Sequence, residues 1–440
     1  MNMKRFAFAA LLGAMLFGIA SGAAATDLKM KGNLDVYGMW SANLKDFDSD
    51  FADGDNYFTT QRMRTYFTYQ TNENLKAVLG LEMNTIWGNG DADWGTDLNE
   101  NNIEIKHSYL DFNFPDTTVN VKTGLLYVGL PGVFGNPFFD DDAPALVVSS
   151  PINDMFGLTA GYTRGIDVSN NVQDDLLTDG TDNDDVDMAF VVAPLTFDGF
   201  NVAPYFGYVW IGENAGWKAT PEQILVEDDA NIWMLGANAK LTVFDPLTFA
   251  ADLIYADLDS DDYETKGWYA ALAGSYKMDM LTATLFTTYA TGADDDADED
   301  NYLPALREDW KVTPYLSGAR AFSTAYDAFF TKSVGVGSDG TGLWTMGLIL
   351  DKISFVENLS HKVTVAYFEG TSDEDTNLFT EEDSGWEVYV VNQYNIYENL
   401  AAINELGYFS ASSEGYEDAN PDGNDMDASY FATIGFQYKF

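Results

Sequence analysis

The chain has 440 residues, with 70 acidic against 22 basic side chains, a formal net charge of −48 and no cysteine. The lack of cysteine excludes a disulfide scaffold, a zinc–thiolate site and an iron–sulfur cluster, and such acidity argues against nucleic acid as a partner. A hydrophobic content of 46% is too high for a disordered chain, and a mean hydropathy of −0.17 is too low for a bundle of membrane helices.

Residues 1–25 have the order of residue types found in a secretory signal peptide. Lys4 and Arg5 precede an apolar run from Phe6 to Ala20, and small residues follow it up to Ala25. The alternative is an N-terminal membrane anchor, but the run is shorter than the roughly 20 residues that cross a bilayer as a helix. We therefore expect cleavage near Ala25, export, and a mature chain that spans residues 26–440.

Hydrophobic side chains alternate with polar or small ones along much of the mature chain. At its end, Phe440, Tyr438, Phe436 and Ile434 alternate with a mostly polar or small set. A period of two indicates a strand whose two faces meet different surroundings. Further upstream the same pattern covers about 10 to 13 residues at a time, which suits strands tilted across a hydrocarbon layer.

The terminal strand resembles the sorting signal of bacterial outer-membrane β-barrels, with Phe440, Tyr438 and Phe436 as its aromatic positions. The alternative is an edge strand of a soluble sandwich. Together with the export signal, the resemblance implies an all-β fold, a transmembrane antiparallel up-and-down barrel in the outer membrane. Its partners would be lipid, lipopolysaccharide and, during biogenesis, the barrel-assembly machinery.

Connections between the predicted strands alternate between short and long. The short ones are Thr71–Asn74, Pro115–Thr118, Pro151–Asp154, Asp198–Gly199, Asp245–Pro246, Met278–Asp279, Glu357–Asn358 and Tyr397–Asn399. The long ones are rich in carboxylates, and the longest covers residues 292–341, with a predicted helix at Ala319–Phe330. This alternation predicts 18 strands, periplasmic turns and extracellular loops. The sixth strand, Ala145–Ser150, is short, and without its hairpin the count becomes 16.

Residues 131–144 follow the fifth predicted strand and resemble the constriction loop of trimeric general porins. The resemblance implies a homotrimer in which Asp140, Asp141 and Asp142 form the acidic side of a constriction inside the pore. The basic side comes from the alternation, which places one set of side chains on lumenal faces: Arg62, Arg64 and Lys122, with Lys106 at a point where the alternation slips.

The acid-rich composition and the Leu130-Pro131-Gly132 turn resemble the abundant trimeric porins of sulfate-reducing proteobacteria. This resemblance implies a passive, water-filled channel for small hydrophilic solutes and ions. The carboxylates of the long connections should raise the cation concentration at its mouth, which predicts a weak cation preference. A count of 18 strands leaves open a selective channel for small anions such as sulfate or organic acids. A structural or adhesive surface barrel is the third hypothesis.

Signatures of an enzyme are sparse. His107 and Ser108 are neighbours on a predicted strand, so their side chains point to opposite faces and do not form a catalytic dyad. We therefore expect no enzyme and no cofactor. Binding of divalent cations by the acidic loops stays an alternative.

Overall fold

The computed structural model describes residues 27–43, 55–88, 103–167, 183–215, 229–261, 263–294, 301–306, 322, 340–373, 379–415 and 426–440. The predicted signal peptide, the predicted helix at Ala319–Phe330 except for Phe322, and most of the 292–341 connection lie outside these ranges. Within them, no helix has both the length and the apolarity needed to cross a membrane.

The described ranges contain nineteen β-segments, which follow one another in chain order. They are β1 Asp27–Ala42, β2 Asp55–Asn72, β3 Leu75–Ile86, β4 Ile103–Asn113, β5 Asn120–Gly129, β6 Asp140–Pro151, β7 Gly157–Asp167, β8 Asp185–Val192, β9 Leu195–Phe197, β10 Phe200–Ile211, β11 Ala230–Phe244, β12 Leu247–Ser260, β13 Glu264–Lys277, β14 Thr282–Ala290, β15 Leu343–Val356, β16 Leu359–Gly370, β17 Ser384–Tyr397, β18 Leu400–Ser412 and β19 Ser429–Lys439.

The segments form one closed antiparallel ring, in which β1 pairs with both β2 and β19. Segments β8 and β9 both pair with β10 and are two parts of a single strand. Pro194 lies at the break, where its missing N–H cannot join a strand ladder. The ring therefore has 18 strands, which confirms the prediction, and the alternative of 16 is wrong.

All eight predicted short connections lie between paired strands, as the sequence indicated. The short connections lie at one end of the barrel. The connections at the opposite end include most of the long acidic segments. One connection at that end is short: β12 and β13 are joined by residues 261–263.

The sixth strand is longer than the sequence indicated. It covers Asp140–Pro151 instead of Ala145–Ser150, so the predicted loop of residues 131–144 shortens to residues 130–139. Asp140 to Pro144 pair with Gly129 to Leu125 of β5, so Asp140, Asp141 and Asp142 belong to a strand. Aspartate and proline usually mark loops, but in a closed ring the neighbouring strands supply the hydrogen bonds, and the Pro144 carbonyl accepts one from the Thr163 hydroxyl at 2.9 Å.

The two faces of the ring differ as the alternation predicts. On β14, Leu285 is 61% exposed and points outward, whereas its neighbour Phe286 is buried inside. Many other large apolar side chains are exposed on the outer face, among them Leu253, Leu272 and Ile434. So broad an apolar outer surface on a closed ring fits contact with lipid, because water would penalise its exposure.

Buried apolar side chains inside the ring form two large clusters. One joins Leu130 and Phe138, at the ends of the 130–139 connection, to inward side chains of β8–β14. The other lies on the opposite side, where Tyr37 and Met39 pack with inward aromatics of β16–β19. The interior is therefore partly filled by packed side chains.

A matched pair of substitutions on β14 tests which face meets lipid. Leu285→Arg should lower the free energy of unfolding in bilayers by about 2–4 kcal/mol, because a charge on the lipid face must be desolvated. Thr284→Arg places the same side chain inward beside a cavity and should cost much less. Urea unfolding in lipid vesicles measures both values, and equal costs would contradict the assigned faces.

Candidate functional site: the barrel interior

The connection at residues 130–139 leaves β5 and reaches the far wall of the barrel. The backbone N–H of Val133 donates to the Asp252 carboxylate at 2.6 Å. Asp252 is buried on β12, the eleventh strand of the ring, and it also accepts from the Asn238 amide at 2.6 Å. Because β5 is the fifth strand, this contact brings the segment across the interior.

Residues 130–139 are called the crossing segment below, and Asn136 holds its middle in place. Its amide donates to the Pro131 carbonyl at 2.9 Å and to the Tyr205 hydroxyl at 2.8 Å. Its carbonyl oxygen accepts from the N–H groups of Phe138 and Phe139, at 2.9 and 3.2 Å. Every donor and acceptor of this fully buried side chain is used, which fixes the segment to β10.

Apolar contacts fix the same segment to the β10–β14 wall. The Phe134 ring meets the Phe286 ring edge to face, with centroids 5.2 Å apart. Phe138 is fully buried in the cluster of inward side chains from β8–β14. The crossing segment therefore lies against β10–β14. The wall on the other side of the interior, formed by β2–β5, is called the facing wall below.

The facing wall carries two arginines around one carboxylate. Arg62 and Arg64 of β2 both contact Glu82 of β3, Arg62 at 3.4 Å and Arg64 by a shorter hydrogen bond. The Glu82 side chain is only 9% exposed. Since β2 is the second strand of the ring and β12 the eleventh, these arginines lie diametrically opposite Asp252.

A second carboxylate on this wall is shared in the same way. Lys76 of β3 lies 3.0 Å from the Asp111 carboxylate of β4, and Lys122 of β5 also attracts it electrostatically. The Lys76 side chain faces inward and is 43% exposed at the short-turn end of the barrel. Asp111 thus has two cations beside it. Asp35 of β1, which lies opposite Arg62, adds a second carboxylate that attracts Arg62 and Arg64, so these four cations face three carboxylates.

The three acidic residues predicted to act together, Asp140, Asp141 and Asp142, have different surroundings. Asp142 contacts Lys106 and lies 2.9 Å from His107 Nε2. Asp140 accepts a hydrogen bond from the Tyr127 hydroxyl. Asp141 is exposed and pairs with Val128, whose side chain points inward.

The structure thus brings together one predicted pair of opposite charges, Lys106 and Asp142. Arg62 and Arg64 are paired with Glu82, and Lys122 lies near Asp111. The carboxylates that contact these basic residues therefore come from the neighbouring strands β3 and β4, and not from Asp140, Asp141 or Asp142. Sequence reasoning missed Glu82, Asp111 and Asp252. Inward carboxylates that share the alternation of the basic residues were the available signal.

The predicted assembly signal forms the closing seam of the ring. The N–H of Phe440 donates to the Gly32 carbonyl at 3.0 Å, and that of Gly32 donates back at 2.8 Å. Phe436 and Tyr438 are exposed on the outer face, and the Tyr438 ring stacks on that of Phe440. Recognition of these residues by an assembly machinery stays a prediction.

Among the described residues, Asp167, Asp184 and Asp185 place their carboxylates within 4.8 Å of one another. Arg164 contacts Asp167 at 3.1 Å and Asp185 at 2.8 Å, so a resident cation already serves this group.

No family model matches the sequence, and no curated protein matches it either. Solved structures do match. OccAB3 of Acinetobacter baumannii is 12% identical, with 94% of this chain and 99% of that chain covered and a TM-score of 0.54. OpdL of Pseudomonas aeruginosa is 14% identical over 94% and 99% of the two chains, with a TM-score of 0.52. The outer membrane protein OprD of Pseudomonas aeruginosa is 13% identical over 96% of each chain, with a TM-score of 0.51. The chain therefore has a fold that is found in outer-membrane β-barrels.

Removal of the carboxylate shared by the two arginines should destabilise the barrel. Glu82→Gln leaves Arg62 and Arg64 side by side with Asp35 as their remaining counter-charge and should cost about 1–3 kcal/mol of unfolding free energy. Adding Arg64→Gln should recover part of that loss, because it removes one unpaired charge. Urea unfolding of both variants and of the Arg64→Gln single variant measures the coupling, and strictly additive losses would contradict a shared carboxylate.

Asp252→Ala should release the crossing segment from the far wall. The Val133 amide would lose its acceptor, and its hydrogen exchange should speed up about tenfold, the change that a loss of roughly 1.4 kcal/mol of protection gives. Hydrogen-exchange mass spectrometry of the peptide that contains Val133 measures this. Glu381→Gln, at an exposed carboxylate, is the control. Unchanged exchange in Asp252→Ala would show that other contacts hold the segment alone.

Proposed function

We propose that this protein is a passive channel for small hydrophilic solutes and ions. The observation that carries the proposal is the closed ring with an apolar outer face and an inward wall of charged side chains, some of them open to water. A ring of 18 strands is wide enough for an aqueous passage, whereas smaller rings are filled by their own side chains. The crossing segment narrows that passage without closing the β2–β5 side.

We place the channel in the outer membrane, with the short turns in the periplasm and the long acidic segments outside. The fold that the chain shares with the outer membrane protein OprD supports this location. The closer resemblance to porins of sulfate-reducing proteobacteria stays a prediction. So do the homotrimer and the contacts with lipopolysaccharide, which rest on the porin resemblance alone.

The described interior favours small anions over the weak cation preference expected from composition. In bulk water, salt screens charges beyond about 8–10 Å, so a charge outside a passage acts weakly on a solute within it. Arg62, Arg64, Lys76 and Lys122 point into the interior and act on a solute at close range, where the effective dielectric constant is lower. Glu82, Asp111 and Asp35 offset three of these four positive charges, which leaves a net of one. A selective channel for small anions is therefore our preferred form of the proposal.

Two double variants of opposite sign test the channel and its preference together. Purified protein should conduct in planar bilayers, and Arg62→Gln with Arg64→Gln should move the reversal potential in a salt gradient toward cations. Asp140→Asn with Asp141→Asn should move it toward anions, because two negative charges near the crossing segment are lost.

Absence of any conductance would contradict the channel and favour a structural or adhesive barrel. A conducting protein that favours cations, with a reversal potential indifferent to the arginines, would contradict the anion preference and restore the expectation from composition.

A further inference from the structure

A cavity of about 640 Å³ lies inside the barrel between the crossing segment and the short-turn end. Gly132, Val133 and Phe134 of the crossing segment form one side of it. Pro246, in the turn between β11 and β12, and Lys277, the last residue of β13, place it near the short turns. Most of its remaining lining comes from inward side chains of β11–β16.

Basic residues outnumber acidic ones in the lining of this cavity, which is the opposite of the chain as a whole. Acidic residues outnumber basic ones more than threefold in the sequence. In the cavity, three lysines, Lys240, Lys277 and Lys362, stand with a single carboxylate, Asp351. The lining thus carries a net of two positive charges, whereas the chain as a whole carries a net charge of −48.

The three lysines are available to a ligand. Within the described part of the chain, none of them forms a salt bridge, in contrast to Arg62, Arg64, Lys76 and Lys106. Lys240 and Lys277 are exposed, and Lys362 is partly so. Exposure inside a closed ring means that these ammonium groups face water that a solute can displace.

The remaining lining is suited to a small polar solute. Hydroxyl groups come from Thr248, Ser275, Thr282 and Thr284, and Asn238 contributes an amide. Hydroxyls and amides donate hydrogen bonds to anionic oxygens without adding negative charge. Ala250, Ala273 and Ile349 supply apolar surface for a short carbon chain.

We propose that this cavity is a binding site for small anions that carry two negative charges, either inorganic oxyanions or short dicarboxylates. The net of two positive charges matches such a ligand, and the open lysines let it enter and leave quickly. The site would hold the anion at the short-turn end after it passes the crossing segment. This inference rests on the proposed channel function and names its substrate class and a site for it.

The test is block of the conductance of reconstituted protein by sulfate and by succinate, each titrated against a chloride background. Both divalent anions should block the wild-type current in a saturable way, and acetate should block it far less. In the triple variant Lys240→Gln, Lys277→Gln, Lys362→Gln the apparent Kd for block should rise about tenfold or more, since three attractive charges are lost. If the triple variant does not insert, the three single variants should each weaken block severalfold.

A matched control removes the same charge at the same end of the barrel but outside the cavity. Lys29, Lys31 and Lys439 are exposed on β1 and β19 near the short turns. Their triple change to glutamine should leave the apparent Kd for sulfate and succinate within about twofold of wild type. Equal loss of block in both triple variants would overturn the site in favour of a diffuse field at the barrel end.

The failure of this inference differs from failure of the channel proposal. A protein that does not conduct refutes both. A protein that conducts, but whose sulfate and succinate block is absent or indifferent to the cavity lysines, refutes the site and leaves the channel. Selective block by sulfate with none by succinate would narrow the ligand to inorganic oxyanions and would overturn the inclusion of dicarboxylates.

Discussion

Backbone pairing around the full ring is the constraint on which the rest of this structure depends. In a hydrocarbon layer an unpaired backbone group costs several kcal/mol, so a sheet that spans it must close. Here β19 closes on β1, with ten residue pairs from Asn33 and Lys439 to Ala42 and Tyr430. Once the ring is closed, successive side chains of each strand point alternately to the outer surface and to the interior.

Closure also explains how distant parts of the sequence form one interior. In a ring of 18 strands, β2 and β12 lie opposite each other although almost 200 residues separate them in the chain. The segment after β5 is held to β10 and β12 through Asn136 and Asp252. The charged groups around Glu82 and Asp111 therefore lie on the opposite side of the interior from this segment's contacts with β10 and β12. In the proposed channel, the passage lies between this fixed segment and the charged wall.

Much of the fold could be predicted because period-two alternation and turn residues are local signals. They gave all eight short turns and the strand number, and they placed Arg62, Arg64 and Lys122 on inward faces. The start of β6 was wrong because Asp140–Pro144 has the composition of a loop, and its pairing with β5 depends on a neighbour. Carboxylate partners depend on register across strands, so Glu82 beside Arg64 and Asp111 beside Lys76 were beyond a reading of single strands.

The central claim is that this ring has a water-accessible interior and an apolar outer surface that faces lipid. Cysteine scanning along β2 tests it most directly. The chain has no cysteine of its own, so each single substitution from Arg64 to Tyr69 gives one unambiguous labelling site. For the protein in lipid vesicles, a membrane-impermeant, water-soluble thiol reagent should label positions 64, 66 and 68 and leave 65, 67 and 69 unlabelled. Uniform labelling of all six positions, or labelling of none, would contradict the account.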